Sequence, residues 1–475
     1  MNASSSARRR PPRRGTGGRA DAPEGAPPPG LAARQAAATL LARVVDDRRS
    51  LSGLVDTRHG PSAFQALEAR DQALARAIVT AALRHRGTIE SVLSHAFDRA
   101  PPKRARHLIH TLHVAAAQIL FLDVPDRAAV SLAVEALRRE PRSARFAGLA
   151  NAVLRKVAAQ GVPTDARPSG VPDWWARRMG KQWGRERAAA ILAAQAKAPA
   201  IDLCCPHDAA GWASRLGGTH LFGACVRVER GDPVTAWPGF EEGAWWVQDA
   251  AAQLPAALLG DVSGERVLDL CAAPGGKAAQ LIAAGARLTA VEMVPDRAAR
   301  LRANLARLSL SATIMEADLM EWAPEEPFGA ILLDAPCSST GTARRHPDIP
   351  WTKTADDIEA LARLQEAMLR RAATFLAPGG RLVFANCSLD RTEGEDVLAR
   401  VTGDGTFVLD PVEAHEVHGL AHLVNPKGWV RSLPAHPARP LAPGEGTLGL
   451  PEDPATGLDG FFAARLHLAA PPPSG

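Results

Sequence analysis

The chain has 475 residues, 46% of them hydrophobic, and a formal net charge of +5. That length supports about two or three domains with real cores. Its six cysteines include no Cys-x-x-Cys pair, which argues against a disulfide framework or a zinc site, and no apolar run reaches membrane-spanning length.

Residues 1–30 are rich in Arg, Pro, Gly and Ser and include Arg8, Arg9 and Arg10 in a row. Such a segment buries too little apolar surface to order itself. A solvated tail is the plain reading; a basic arm for phosphate backbones is the sharper one. Prolines and glycines interrupt the amphipathic helix that a transit peptide needs.

Residues 31–160 carry apolar stripes at i, i+3 and i+4 throughout. Ala36, Leu40, Leu41 and Val44 form one, and Leu74, Ala77, Ile78 and Ala81 another. Leu108, Leu112, Ala115, Ala116 and Ile119 predict a strongly apolar central helix. The expectation is a bundle of about five to seven helices, punctuated by prolines. Arg84, Arg86, Arg138, Arg139 and Arg142 are expected on its exposed faces, where they serve solubility or RNA contact. His107, His110 and His113 are spaced by three, but no cysteine or carboxylate accompanies them in the sequence, so packed or surface histidines are expected rather than a metal site.

Residues 161–250 read as a linker and a small α+β connector. Trp174, Trp175 and Trp183 fall in a short helical stretch, and Cys225 to Val228 is extended. Cys204 and Cys205 are read as buried small residues. A further helix follows Asp249.

Residues 251–470 alternate short apolar runs with helical patterns. The runs at 266–268, 288–291, 312–315, 330–333 and 381–385 predict strands of an open parallel sheet, with its ligand at their carboxyl ends. Polar residues cluster there. After the first run come Asp269 and Leu270, then Cys271, Ala272, Ala273, Pro274, Gly275, Gly276 and Lys277. Glycines in a strand-to-helix turn admit a ligand close to the backbone, and free N–H groups at a helix start suit an anion. The loop is neither the phosphate-cradling motif, since Ala278 follows Lys277, nor the spaced-glycine dinucleotide fingerprint. Glu292 ends the second run, where an acidic residue can hold a ribose. Asp318 follows the third run, Asp334 and Cys337 the fourth, and Cys387 the fifth. A last run at 460–466 predicts a late buried strand. With no tyrosine in the chain, Trp351 and Phe461 are the aromatics considered for base stacking.

Two thiols at strand ends beside a carboxylate point to nucleophilic attack on an electron-poor ring carbon. Cytosine C6 is such a carbon, and addition there makes C5 able to accept a methyl group from a sulfonium donor. The sequence of steps needs a nucleophile, an acid and a base, for which Cys387, Asp334 and Cys337 are the candidates.

These motifs resemble the RNA cytosine-C5 methyltransferases of the Sun/Nop family. The resemblance rests on residues 269–277, on 334–341, on Arg345, His346, Pro347 and Asp348, on Cys387 with Ser388, and on 459–465. Residues 149–155 are similar to the end of a NusB-like RNA-binding domain, and that pairing resembles the RsmB branch, which acts on small-subunit ribosomal RNA. The resemblance implies an all-α NusB-like domain, a small α+β connector and a Rossmann-like class I S-adenosylmethionine-dependent methyltransferase domain. It implies that residues 271–277 hold the methionine end of S-adenosylmethionine, Glu292 the ribose and Asp318 the adenine. Asp334 would line the donor pocket and meet the base, Cys387 would be the nucleophile, and Cys337 would assist product release. A cytoplasmic monomer without metal, acting on RNA, is the expectation. Glu292 stands where an aspartate is usual, Asn386 where a threonine is usual, and Gly394 where an asparagine is usual. Against this stands an RNA-binding assembly factor without catalysis, which the intact donor loop and both cysteines oppose. An amino-group methyltransferase would want a polar-Pro-Pro-aromatic loop, and Cys337 stands where its aromatic should be.

Overall fold

The computed structural model describes residues 27–56, 59–99, 101–102, 104–162, 171–229, 231–441 and 457–469. The basic tail as far as residue 26, and the linker prolines Pro163 and Pro168, lie outside them.

Among the described residues, the N-terminal part holds six helices longer than one turn: Leu31–Val45, Ala69–Arg84, Arg86–Ala96, Arg106–Phe121, Asp126–Arg139 and Ala147–Gln160. Arg106–Phe121 is central and packs against the other five. Leu108, Leu112, Ala115 and Ala116 are buried along it. Asp126–Arg139 shows why a segment starts and stops. Pro125 precedes it, Asp126 sits in its first turn and Arg138 and Arg139 in its last, each matching the helix dipole.

Two arginines expected on exposed faces are instead used between domains. Arg84 donates from Nη2 to the Arg344 carbonyl at 2.7 Å. Arg86 is buried, with its guanidinium 4.9 Å over the Trp351 ring. Trp351 packs against the bundle's core, so it is not available for base stacking. The Leu51 N–H adds a bond to Asp348 at 2.9 Å. A helical period reveals which face is apolar, not which polar face another domain covers.

The tryptophan segment is longer than the sequence implies. Asp173–Gln195 runs for 23 residues, bent at Gly184, where φ is 76°. The connector is an antiparallel sheet of order β2-β3-β1-β4, with β1 Ile201–Cys204, β2 Thr219–Phe222, β3 Cys225–Val228 and β4 Trp246–Val247. Cys204 and Cys205 are buried there.

The large sheet contains β5 Arg266–Leu270, β6 Arg287–Val291, β7 Thr313–Met315, β8 Phe328–Asp334, β9 Leu376–Asn386, β10 Phe407–Asp410, β11 Val430–Ser432 and β12 Phe461–Leu468. Its order is β10-β12-β9-β8-β5-β6-β7, with β11 paired to β12. Strands β5 to β9 are parallel, and β5, β8 and the second half of β9 are buried on both faces, which is why they read as continuous apolar runs, whereas the edge strand β7 is not. The sheet is not wholly parallel as expected: β12 runs antiparallel between β9 and β10. Strand–helix alternation stops after the helix Glu395–Gly403, and antiparallel pairing needs no crossover helix. Chain order reverses between β5 and β8, so a crevice opens at their carboxyl ends. That crevice receives the loop after β5 and the loop after β8.

Candidate functional site

The loop after β5 is held from three sides. The Ala272 N–H donates to the Val291 carbonyl at 3.2 Å. Arg297 donates to the Ala273 carbonyl and Asn304 to the Pro274 carbonyl, each at 2.8 Å. Gly275 has φ 107°, a conformation that favours glycine, and a Cβ there would stand 2.6 Å from Leu301. Beyond it the helix Gly276–Ala283 begins at the cavity wall, with no side-chain cap on its first N–H groups.

Lys277 Nζ lies 2.7 Å from Asp334 Oδ2 and 4.8 Å from the centre of the Phe461 ring. Phe461 is buried beneath that ammonium, as a packing residue. Asp269 is buried below the loop, and neither of its oxygens has a hydrogen-bond partner. Burial and then the negative charge of Asp334 push its carboxyl up to about 8, against the pull of Lys277. A cavity of about 370 Å³ opens here, lined by Asp269, residues 271–277 and Asp334 on one side, and by Phe240, Trp246 and Gln248 of the connector region on the other. Glu292 and Asp318 sit at the neighbouring strand ends, outside its wall. Glu292 is buried, with Oε1 accepting from the Val294 N–H at 3.1 Å and Oε2 without a hydrogen bond. Asp318 is half-buried and caps the Met320 N–H at 2.9 Å.

Parallel pairing of β8 with β9 sets Asp334 opposite Ala385 and brings the loops that follow together. Cys337 Sγ then lies 3.5 Å from Cys387 Sγ. Contact with Cys337 is the largest influence holding the Cys387 thiol below its usual range, and the same contact, with burial, pushes Cys337 well above it. Lys277 also favours the Cys387 thiolate, while Asp334 opposes it.

Glu393, a carboxylate of the motif around Gly394, is the site residue to which sequence reasoning assigned no role. It is fully buried between the two cysteine loops. It accepts from the Ser338 N–H at 2.8 Å and from the hydroxyls of Ser338 and Ser388. Gln365 reaches both Glu393 and the Pro336 carbonyl. Asn386 completes the clamp: its Nδ2 donates to the Glu393 carbonyl at 2.8 Å and its Oδ1 accepts from the Ser388 N–H at 3.0 Å. The signal available in the sequence was a glutamate six residues after Cys387 and serines next to each cysteine.

Gly394 also acquires a reason. A Cβ there would meet Arg431 Nη2 at 2.5 Å and the Phe462 ring at 2.9 Å. Arg431 uses that space to donate to the Ser388 carbonyl and to pair with Glu395. The loop after Cys387 is thus fixed by a guanidinium where an amide is usual. Gly341 is equally confined: its N–H donates to the Cys387 carbonyl at 2.9 Å, and a Cβ would lie 1.9 Å from the Gly460 carbonyl oxygen. The motif residue Arg345 lies in an ion network, joining Asp459 to Asp249, beside Arg344, which is fully buried against Asp459.

His110 and His113 are buried, while His107 is exposed and bonds the Ser143 hydroxyl at 3.0 Å. Asp46, 64 residues away in sequence, supplies His110 with a carboxylate at 3.1 Å, while His113 bonds the Ile109 carbonyl. Among the described residues no group of three or more His, Cys, Asp or Glu is placed to hold a metal ion, and no helix is long and apolar enough to cross a membrane.

Residues 256–467 match the family model described as 16S rRNA methyltransferase RsmB/F, and residues 31–159 match the NusB family. The chain is 37% identical over 384 residues to the ribosomal RNA small subunit methyltransferase B of Xanthomonas campestris pv. campestris, which covers 77% of this chain and 86% of that protein. With its counterpart in Vibrio cholerae it shares 34% identity over 458 residues, covering 91% and 96%. The chain belongs to the RsmB/F family of 16S rRNA methyltransferases.

Among solved structures, that titled "Crystal Structure of PH0851" has the same fold, with a TM-score of 0.68 at 21% identity, covering 92% of this chain and 99% of that one. The structure of NSun6 from Pyrococcus horikoshii with SFG has a TM-score of 0.51 at 16% identity, covering 63% and 99%.

An RsmB/F methyltransferase performs S-adenosylmethionine-dependent methylation of ribosomal RNA. The crevice fits that donor. It offers a buried carboxyl without a hydrogen bond at Asp269 and uncapped backbone N–H groups at the start of the helix Gly276–Ala283, and at the neighbouring strand end Glu292, whose Oε2 lies 3.4 Å from Arg297 Nη2. These match, in turn, an ammonium, a carboxylate and a hydroxyl-bearing ribose.

Proposed function

We propose that the chain methylates C5 of a cytosine in 16S ribosomal RNA through a covalent adduct between Cys387 and C6. The observation that carries this reading is the thiol pair itself: Cys337 and Cys387 meet at 3.5 Å, sulfur to sulfur, beside Asp334, and their contact favours the thiolate on Cys387. A thiol held below its usual range at the end of β9 is the better nucleophile, and one held above it keeps its proton.

In this reading, residues 271–277 and Asp269 hold the methionine end of S-adenosylmethionine, Glu292 its ribose and Asp318 its adenine. The bound donor supplies an electrophilic methyl group. Asp334 meets the N3–N4 edge of the cytosine, and Lys277 fixes the direction of that carboxylate. The Cys387 thiolate adds to C6, and the ring's electron pair becomes available at C5. After C5 has taken the methyl group, its proton leaves to a base, the C6–sulfur bond breaks and the C5–C6 double bond returns. Cys387 leaves as the thiolate, and Cys337 is placed 3.5 Å away to hydrogen-bond that departing sulfur.

The test uses purified protein, labelled S-adenosylmethionine and small-subunit rRNA lacking cytosine methylation. Cys387→Ala should transfer no methyl group, and Cys337→Ala should accumulate a denaturant-resistant protein–RNA adduct. If the phenotypes swap, Cys337 is the nucleophile. If Cys387→Ala methylates at the wild-type rate, the covalent mechanism fails.

A further inference from the structure

The long helix Asp173–Gln195 lies between the two matched domains in sequence, where the composition suggested only a linker and packing tryptophans. It is bolted to the loop that follows Cys387. Arg178 pairs with the buried Asp390 and bonds Thr392. Gln182 bonds Asp390 at 2.8 Å and accepts from the Arg391 N–H at 3.2 Å. Trp183 donates from its indole to the Leu389 carbonyl at 3.1 Å.

These anchors, with buried Trp175 and Met179, define the inward face. At 100° per residue, Arg177 and Lys181 fall together on the outward face, one position before the anchored Arg178 and Gln182. Both are exposed. Past the bend at Gly184, Arg185 and Arg187 are exposed too. Arg391 is exposed on the catalytic loop, its guanidinium 5.7 Å over the half-buried Trp183 ring. Two exposed carboxylates share this face, Asp173 one turn before Arg177 and Glu186 between Arg185 and Arg187, against the five exposed cations Arg177, Lys181, Arg185, Arg187 and Arg391, while Asp390 and Glu359 serve Arg178. The outcome is a ridge of cations, rigidly placed a few residues from Cys387 and interleaved with a partly open aromatic ring.

We infer that this ridge, led by Arg177, Lys181 and Arg391, is a track for the phosphate backbone of the RNA strand that delivers the target nucleotide to the crevice. The inference rests on the methyltransferase reading above and assigns its substrate a path. Charge complementarity selects the occupant: a row of cations on a fixed helix suits a polyanion, and contacts to phosphates position a strand without reading its sequence. The attachment to the 389–392 loop makes the track continuous with the nucleophile's own loop, so a strand lying on it is oriented with respect to Cys387.

The experiment compares wild type with Arg177→Glu/Lys181→Glu and with Arg391→Glu. Methyl transfer to a small-subunit rRNA transcript is measured across RNA and salt concentrations. Equilibrium binding of the same RNA is followed in parallel by electrophoretic shift, and donor affinity by titration. The expected result for the double variant is a KM for RNA raised about tenfold, and a log–log salt slope reduced by about one per lost phosphate contact. Its kcat at saturating RNA and its donor affinity should stay at the wild-type level. Unchanged KM, binding and slope would make the ridge a solvated helix face and overturn the inference, as would a fall in kcat with KM unchanged. If wild type itself transfers no methyl group, the methyltransferase reading fails separately, and the binding arm still decides whether the ridge holds RNA.

Discussion

Cys337 and Cys387 lie 3.5 Å apart, sulfur to sulfur, with one hydrogen bond pushing their acidities in opposite directions. The arrangement arises because β8 and β9 are adjacent parallel strands that end in step, so two loops 50 residues apart in sequence present their thiols side by side. A thiol that donates to its neighbour stabilises the neighbour's thiolate, and its own deprotonation is disfavoured by that same contact.

That relationship predicts how Cys387 responds when its donor is removed. In Cys337→Ala the largest influence lowering the Cys387 thiol is gone, while burial and Asp334 still push it up. The pH profile for alkylation of Cys387 by iodoacetamide, measured without RNA, should therefore move to higher pH. At neutral pH the rate should fall several-fold. An unmoved profile would mean that Lys277 and Ser339 hold the thiolate without Cys337.

Asp269 sets a second pH dependence. Its folded carboxyl is raised to about 8 from a reference value of 3.8. Below the reference value both folded and unfolded states are protonated, and the group has no effect. Between the two values the folded state keeps a proton that the unfolded state has lost, so stability declines as pH rises, and levels off above about 8. The penalty at high pH is on the order of a few kcal/mol. Asp269→Asn should flatten the thermal-melting profile of the donor-free protein across this window, so that its Tm exceeds the wild-type value most above pH 8. Donor affinity should move the other way, rising with pH in wild type as the carboxylate forms, and lost in the variant. Parallel melting curves would remove Asp269 as the titrating group.

Much of this architecture was legible because burial leaves a periodic trace. Leu108, Leu112 and Ala115 repeat at helical spacing and do form the central helix. Val267 and Leu268, or Ile331 and Leu332, are buried on both faces of a parallel sheet and so read as unbroken apolar runs. The position of β12 was not legible, since an apolar run announces a strand but not its neighbour or its direction. Arg86 and Trp351 were misjudged for a related reason: each is polar or aromatic on a face that periodicity leaves open, and only the docked domain covers it. At the site, Asp269, Lys277, Asp334, Cys337 and Cys387 were visible as residues at strand ends. The clamp was not, because Ser338, Ser388 and Glu393 become partners only when two loops meet.

Glu393 gives that clamp a measurable role. One carboxylate satisfies four donors, two from Ser338, one from Ser388 and the Gln365 amide, and each serine adjoins a cysteine. Removing the side chain in Glu393→Ala leaves those donors in a dry interior, at a cost of about 2–4 kcal/mol in stability. The Cys337–Cys387 spacing also loses its tie, so kcat should fall by more than tenfold even where the protein remains folded. Glu393→Gln keeps the shape and one acceptor, and should retain more stability than the alanine variant while still losing activity, because its amide presents donors to the serine hydroxyls. Urea unfolding separates the first effect, and single-turnover methylation below the melting temperature separates the second. If Glu393→Ala unfolds at the wild-type urea midpoint and turns over normally, the two cysteine loops are held by Arg431, Gly341 and Asn386 without it, and the carboxylate is a passenger in the interior.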